Sequence, residues 1–202
     1  MREPNTTRPA VVLGVLNTPK GREISERMQE WLQRSGYKDV HVYMHDGTLY
    51  EYPALKYARD YSMSTGKPVM YLHTRGAVNT WETTEQTHRM WEHEFGKLAG
   101  FYATLINAHH GACVVAPFID NSGTHRYNGF IANAEAWKRA NIPAHVEDRH
   151  EYEHLWREDM MPTKSFPCID AYDVNGLKIE GLDATGHQCS EAIRTKFVDR
   201  LS

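Results

Sequence analysis

The hydrophobic pattern of the first half of the chain alternates between short apolar runs and amphipathic segments. Apolar runs at residues 10–16 and 69–72 predict two buried strands, and an alternating pattern at residues 40–44 predicts a third strand between them. Between them, residues 22–34 and 52–64 carry apolar side chains at helical spacing, and a glycine follows each of these segments. This alternation predicts an α/β fold with a mostly parallel, Rossmann-like sheet, right-handed crossovers and helices on both faces.

The second half of the chain has a less regular pattern. Residues 80–108 predict a long helical region, which we expect to be interrupted at Gly96 or Gly100. A fourth apolar run at residues 112–118 predicts another strand, and the alanine-rich residues 131–140 predict a helix. No internal repeat is visible.

Composition limits the class of protein. A chain of 202 residues with a formal net charge of -3 is large enough for one domain with a substantial core, and its charge does not indicate non-specific nucleic-acid binding. Three widely spaced cysteines do not support a disulfide framework. Because the amino terminus is polar and no stretch approaches the roughly 18 apolar residues of a membrane span, we expect a cytoplasmic protein.

Polar side chains follow each of the first three predicted strands. They are Asn17 and Thr18 after the first strand, Asp46 after the second, and His73, Thr74, Arg75 and Gly76 after the third. Since the carboxyl ends of parallel strands meet at one edge, where α/β proteins bind ligands, we expect a crevice there. Arg75 makes an anionic ligand the natural occupant, because guanidinium groups bind phosphate with charge-assisted hydrogen bonds. The alternative is that these residues only cap and solvate the loops.

Twelve histidines raise the question of a metal site. The pairs nearest to helical ligand spacing are His88 with His93 and His150 with His154, and the sequence contains no H-E-x-x-H motif. We therefore expect no metal site.

A group of acidic residues lies near residue 150. Its members are Glu147, Asp148, Glu151 and Glu153, with Arg149 among them. Such a group is either a solvated charged surface or the source of a general base held by a neighbouring cation.

Four segments together resemble a group of small bacterial and viral glycosyltransferases. The segments are Y-L-H-T-R-G at 71–76, H-R-M-W at 88–91 preceded by a tryptophan, H-R-Y-N-G-F-I-A at 125–132 and R-H-E-Y-E-H-L-W at 149–156. In that group a Y-[IL]-H-T-K-G strand end is followed by a W-R helix, an H-x-S-G-N-F-W-x-A segment and an R-x-x-x-E-x-W segment. The chain departs from the pattern where Arg75 replaces lysine, where Asn128 and Gly129 stand in inverted order, and where Ile131 replaces tryptophan.

The resemblance implies a single GT-A-like domain that transfers a sugar from a nucleotide-sugar donor and needs no other cofactor. Residues 1–110 would bind the donor, and residues 111–161 would supply acceptor and catalytic groups. Residues 162–202 lie outside the resemblance and form an extension, for which we expect acceptor contact or homodimer formation. The implied donor-binding residues are Asn17, Thr18, Asp46, Thr74, Gly76 and Arg149. The implied acceptor-binding residues are His125, Asn128, Gly129 and Trp156.

The resemblance also gives the third strand end a mechanistic meaning. Many such enzymes carry Asp-x-Asp at this position, where it holds a divalent metal against the donor diphosphate. Here the positions read His73-Thr74-Arg75, so we expect Arg75, helped by His73, to neutralise the leaving diphosphate without a metal. Asp148 is the expected catalytic base, and Glu153 is the second choice.

The acceptor stays open between two classes. A surface oligosaccharide is the usual implication of the resemblance, whereas viral members would instead modify a hydroxymethyl base in DNA, which must be extruded or single-stranded to be reached. The rival class is a non-enzymatic nucleotide-binding module, or a nucleotide hydrolase of the same Rossmann-like architecture, in which Arg75 grips a phosphate and no sugar is transferred.

Overall fold

A computed structural model describes most of the first 147 residues and short pieces beyond them. The described residues are 7–74, 88–89, 91–108, 111–116, 129–147, 151–152, 155–156 and 168–170. Their helices and strands, in chain order, are β1 (Ala10–Leu16), α1 (Pro19–Arg34), β2 (Val40–His45), α2 (Tyr52–Thr65), β3 (Val69–His73), a π-helical segment (Glu92–Lys97), α3 (Ala99–Ala108), β4 (Val114–Ala116), β5 (Phe130–Ala132), α4 (Ala134–Arg139) and β6 (Cys168–Asp170). No helix among these residues is long and apolar enough to cross a membrane.

The strands form one six-stranded sheet in the order β2-β1-β3-β5-β4-β6. β1 pairs in parallel with β2 and with β3, and β4 pairs in parallel with β6. β5 lies between β3 and β4 and is antiparallel to both. The predicted α/β class with a mostly parallel sheet is therefore confirmed, with one antiparallel strand as a departure from it.

Both faces of the sheet are covered, which explains why β1 is apolar at every position but Gly14. Val11, Leu13 and Val15 belong to a first core with α1, the π-helical segment and α3. Ala10 and Val12 belong to a second core on the opposite face, with α2 and α4. Because successive strand residues point to opposite faces, a strand buried on both sides reads as a continuous apolar run. The predicted placement of helices on both faces is confirmed.

The predicted helix at residues 131–140 is wrong in its first part, because the chain forms β5 before the helix begins. Ile131 pairs with Met70 on β3 and with Val115 on β4. Asn133 then ends the strand, since its Oδ1 accepts the N–H of Ala136 at 3.0 Å and caps α4. A three-residue strand between two neighbours is specified by pairing and leaves little periodicity to detect.

The long helical region contains the expected irregularity. Of the two glycines considered, Gly96 lies inside the π-helical segment, whereas Gly100 lies within the regular helix α3. A Cβ on Gly96 would lie 3.0 Å from Ser35 Oγ and 3.5 Å from the Trp31 ring. The glycine therefore permits close approach between this segment and the end of α1.

Candidate functional site

The parallel register places the carboxyl ends of β1, β2 and β3 at one edge of the sheet. Leu16 lies opposite His45 on β2, and Gly14 lies opposite His73 on β3. The Asn17 N–H continues the ladder by donating to the His45 carbonyl at 2.8 Å. The structure therefore brings together the three strand ends that the sequence predicts to carry polar site residues, and we call this region the carboxyl edge.

Two of the predicted donor-binding residues at this edge have structural hydrogen bonds. Thr74 is 6% exposed, and its Oγ1 accepts the N–H of Leu16 at 3.0 Å, which ties the end of β3 to β1. Thr18 Oγ1 accepts the N–H of Gly21 at 3.0 Å and caps α1. Both hydroxyls therefore fix the positions of the strand ends.

Asn17 and Asp46 lie at the surface of the carboxyl edge. Asn17 Oδ1 accepts a hydrogen bond of 2.7 Å from the Arg22 guanidinium, which orients the amide. Asp46 Oδ1 accepts the N–H of Thr48 at 2.8 Å in the turn after β2. That backbone hydrogen bond, followed by one from the Thr48 side chain, lowers the pKa of Asp46 below its usual value. Asp46 is therefore an exposed, ionised acceptor at neutral pH.

His73 lies in close contact with Glu51, a carboxylate that no sequence motif connects to the carboxyl edge. His73 Nδ1 lies 2.8 Å from Glu51 Oε1, and each side chain is only 12% exposed. Glu51 immediately precedes α2, which has proline in its first turn, but its side chain does not cap that helix. An acidic residue at a helix start is ordinarily read as a cap, so the sequence carried no signal that it would reach β3 instead.

The Glu51 carboxylate influences three other titratable groups, which places it at the centre of a cluster. Burial lowers the pKa of His45, an effect that Glu51 opposes and His73 reinforces. Burial, and then Glu51, raise the pKa of Tyr71 well above its ordinary value. The same two causes raise the pKa of Tyr152 to about 12. Glu51 therefore acts on residues from β2, β3 and the segment after α4.

Several buried polar atoms of this region have no hydrogen-bond partner in the part of the chain that the structure describes. They are His45 Nδ1, Tyr71 Oη, His73 Nε2 and Trp91 Nε1. The Trp91 and His73 rings are 5.7 Å apart, and the Tyr71 and His73 rings are 6.3 Å apart. Buried polar groups are nearly always paired, so these atoms mark a place where a ligand or an ordered water would complete the hydrogen bonds.

Two of the predicted acceptor-binding residues are described, and both are buried. A Cβ on Gly129 would lie 2.9 Å from Trp91 Cε2, so this glycine makes room for the indole beside the edge. Trp156 is 2% exposed and packs edge-on against Phe130 at 5.2 Å and Trp137 at 5.4 Å. Trp156 therefore lies in the second core, where its ring completes an aromatic cluster.

The remaining predicted site residues lie outside the described residues. They are Arg75, Gly76, His125, Asn128, Asp148, Arg149 and Glu153. Within the described part, no three His, Cys, Asp or Glu side chains converge as ligands for a metal ion.

The carboxyl edge combines an ionised surface carboxylate with a buried carboxylate–histidine pair. Such a pair can orient the imidazole for proton exchange or for hydrogen bonding to a bound hydroxyl. A scan against protein-family models, a search of curated proteins and a search of solved structures each return no match to this chain.

Proposed function

We propose that this protein is a glycosyltransferase that moves a sugar from a nucleotide-sugar donor to an acceptor hydroxyl. The observation that carries the proposal is the convergence of the β1, β2 and β3 carboxyl ends, with Asn17, Asp46 and His73 at a single edge. Ligands of α/β sheets bind at such an edge. The resemblance of residues 71–76 to a transferase strand end supports the same assignment.

The donor nucleoside is assigned to the β1 and β2 ends. Asp46 is an exposed acceptor whose pKa is held low by the Thr48 N–H, and such a carboxylate suits the hydroxyls of a ribose. The Asn17 amide is oriented by Arg22 and lies next to this position through its backbone bond to His45. An amide with both donor and acceptor atoms suits a nucleobase edge.

The donor diphosphate is assigned to Arg75, without a metal. Thr74, which precedes Arg75 in the sequence, is anchored at the carboxyl edge by hydrogen bonds to both Gly14 and Leu16 of β1. A guanidinium stabilises the charge that develops on a leaving diphosphate. His73 contributes less to neutralising the diphosphate than the sequence predicts, because the Glu51 carboxylate at 2.8 Å balances any positive charge on its ring.

The acceptor side of the proposal rests on the sequence resemblance. Asp148 is the proposed base that deprotonates the acceptor hydroxyl, with Glu153 as its substitute, and His125 and Asn128 are the proposed acceptor contacts. The acceptor is a surface oligosaccharide or a hydroxymethyl base in viral DNA.

A nucleotide hydrolase is the second proposal, and the Glu51–His73 pair is the observation in its favour. A carboxylate that orients an imidazole can make it a base for a water molecule, in which case no sugar acceptor is needed. A non-enzymatic nucleotide-binding module would use the same edge without turnover.

A donor screen separates these functions. Purified protein is tested by thermal shift with UDP, GDP and CMP and with sugar nucleotides that carry them, and sugar release is followed with and without excess EDTA. Slow release of sugar from one nucleotide sugar, undiminished by EDTA, is expected of the transferase. Phosphate release from a free nucleotide indicates the hydrolase, stabilisation without any turnover indicates the binding module, and an absolute metal requirement contradicts the role of Arg75.

A further inference from the structure

His73 is tied at one ring nitrogen and unpaired at the other. Its Nδ1 lies 2.8 Å from Glu51 Oε1, while its Nε2 is buried and has no hydrogen-bond partner in the described part of the chain. Burying an unpaired ring nitrogen costs free energy, and a native structure tolerates it where a ligand completes the bond. A ligand group that completes the bond must match the hydrogen-bonding character of Nε2.

Glu51 determines whether His73 Nε2 donates or accepts a hydrogen bond. An ionised carboxylate has only acceptor atoms, so the Nδ1 nitrogen that faces it carries the proton. In the neutral imidazole the proton then resides on Nδ1, and Nε2 presents a lone pair. Nε2 is therefore a hydrogen-bond acceptor, and its complement is an O–H or N–H group rather than a phosphate oxygen.

The charge of the pair favours a neutral ligand group as well. If the His73 ring were protonated, the adjacent carboxylate would cancel its charge, so the pair never offers a net positive charge to an anion. The Glu51 charge extends over the region, since it contributes to the raised pKa values of Tyr71 and Tyr152. The pair itself therefore offers a phosphate no net positive charge.

We propose that Glu51 is a positioning residue which fixes His73 in its Nδ1–H tautomer, and that His73 Nε2 accepts a hydrogen bond from a hydroxyl group of the donor's sugar. The proposal rests on the transferase function above and deepens it, because it assigns His73 to the sugar and leaves the diphosphate to Arg75. Glu51 acts through His73 and does not itself contact the ligand.

The test compares how the sugar and the diphosphate contribute to binding. The probes are UDP with UDP-glucose and GDP with GDP-mannose, and affinities are measured by calorimetry for the wild type and two variants. His73→Asn retains an amide at the Nδ1 position but has no atom at Nε2. Glu51→Gln retains the shape of the side chain but can either donate to Nδ1 or accept from it. His93→Asn is the matched control, because His93 forms a similar contact with Glu94 within the π-helical segment rather than with a strand-end residue.

Both site variants are expected to bind the sugar nucleotide about five- to tenfold more weakly, the effect of losing one hydrogen bond. Their affinity for the free nucleoside diphosphate is expected to stay within about twofold of the wild type. Equal losses for both probes, or no loss for either, overturn the assignment of His73 to the sugar. If the wild type binds neither probe of either pair, the transferase function itself fails, and the inference with it.

A spectroscopic measurement distinguishes positioning from a general loss of structure. The ¹⁵N resonances of the His73 ring, identified by their absence in His73→Asn, are expected to show an unprotonated Nε2 in the wild type. In Glu51→Gln they are expected to move toward a mixture of tautomers while the melting temperature changes little. A protonated Nε2 in the neutral wild-type ring, or an unchanged spectrum in Glu51→Gln, contradicts the role of Glu51.

Discussion

Two carboxylate–histidine pairs among the described residues, Glu94 with His93 and Glu51 with His73, differ in how completely their atoms are hydrogen-bonded. In the π-helical segment, Glu94 accepts from the His93 ring at 3.0 Å and from the Tyr102 hydroxyl at 2.8 Å. At the carboxyl edge, Glu51 contacts His73 Nδ1 at 2.8 Å, and the far nitrogen of that ring is buried and unpaired within the described structure. The two pairs therefore differ in their hydrogen bonding, although they are built from the same two types of side chain.

The difference follows from where each pair lies. His93 and Glu94 are neighbours in sequence, and Tyr102 reaches them from the first turn of α3, so the pair joins two consecutive helical pieces. Glu51 and His73 come from separate elements and meet only where α2 begins and β3 ends. A fully hydrogen-bonded pair stabilises the fold, whereas an unpaired buried nitrogen costs stability, which is consistent with the proposed role of His73 as a ligand contact.

The largest expected effect is on stability. Glu94→Ala leaves the Tyr102 hydroxyl and the His93 ring without their acceptor in a site that is 2% exposed, and we expect it to lower the free energy of unfolding by about 3 kcal/mol. Glu51→Ala removes the acceptor of a pair that is already incompletely bonded, and we expect a loss of about 1 kcal/mol. Urea denaturation measures both. An equal or larger loss for Glu51→Ala would show that the edge pair is primarily structural.

The second expected effect concerns the packing of the edge. Gly129→Ala would bring a methyl group against the Trp91 indole, a rigid neighbour, and we expect it to cost about 2 kcal/mol. Gly111→Ala is the matched control, because a Cβ there would meet nothing within 4 Å. Urea denaturation of both variants measures the difference. If Gly129→Ala is as mild as the control, Trp91 is free to move, and the edge is packed more loosely than the core.

The smallest expected effect is the pH dependence of stability that His45 contributes. Burial lowers its pKa in the folded state, so the unfolded chain binds the proton more readily. Its contribution to stability is therefore complete above the unfolded pKa of about 6.5 and is lost as the pH falls through the lower, folded value. Melting temperatures between pH 7.5 and 5 should fall less steeply in His45→Gln than in the wild type. The exposed residue His145, changed to glutamine, is the control, and an identical slope in the wild type and His45→Gln would contradict the prediction.

The sequence predicted the part of the fold that depends on local pattern. Residues 10–16 were predicted as a strand and form β1 with those bounds, because burial on both faces leaves an unmistakable apolar run. α1 begins at Pro19, earlier than the predicted residue 22, because Thr18 caps it there. β5 was missed because its three residues are specified by pairing with β3 and β4, which no local pattern records.

In the candidate site, the meeting of the strand ends could be predicted from the sequence, whereas contacts between separate elements could not. The convergence of the β1, β2 and β3 ends followed from counting strands and crossovers. The contact between Glu51 and His73 could not be predicted in this way, since it depends on how α2 is placed over the sheet. Trp156 was predicted as an acceptor contact, and only the fold shows that its ring joins Phe130 and Trp137 in the second core.

The hydrogen bond from Leu16 N–H to Thr74 Oγ1 has a consequence for how this protein can evolve. It fixes Thr74, the residue that follows β3, to β1. The end of this strand therefore keeps its place in the sheet when the sequence after Thr74 changes. Substitutions and insertions beyond Thr74 can change what the protein recognises without unpairing the strand.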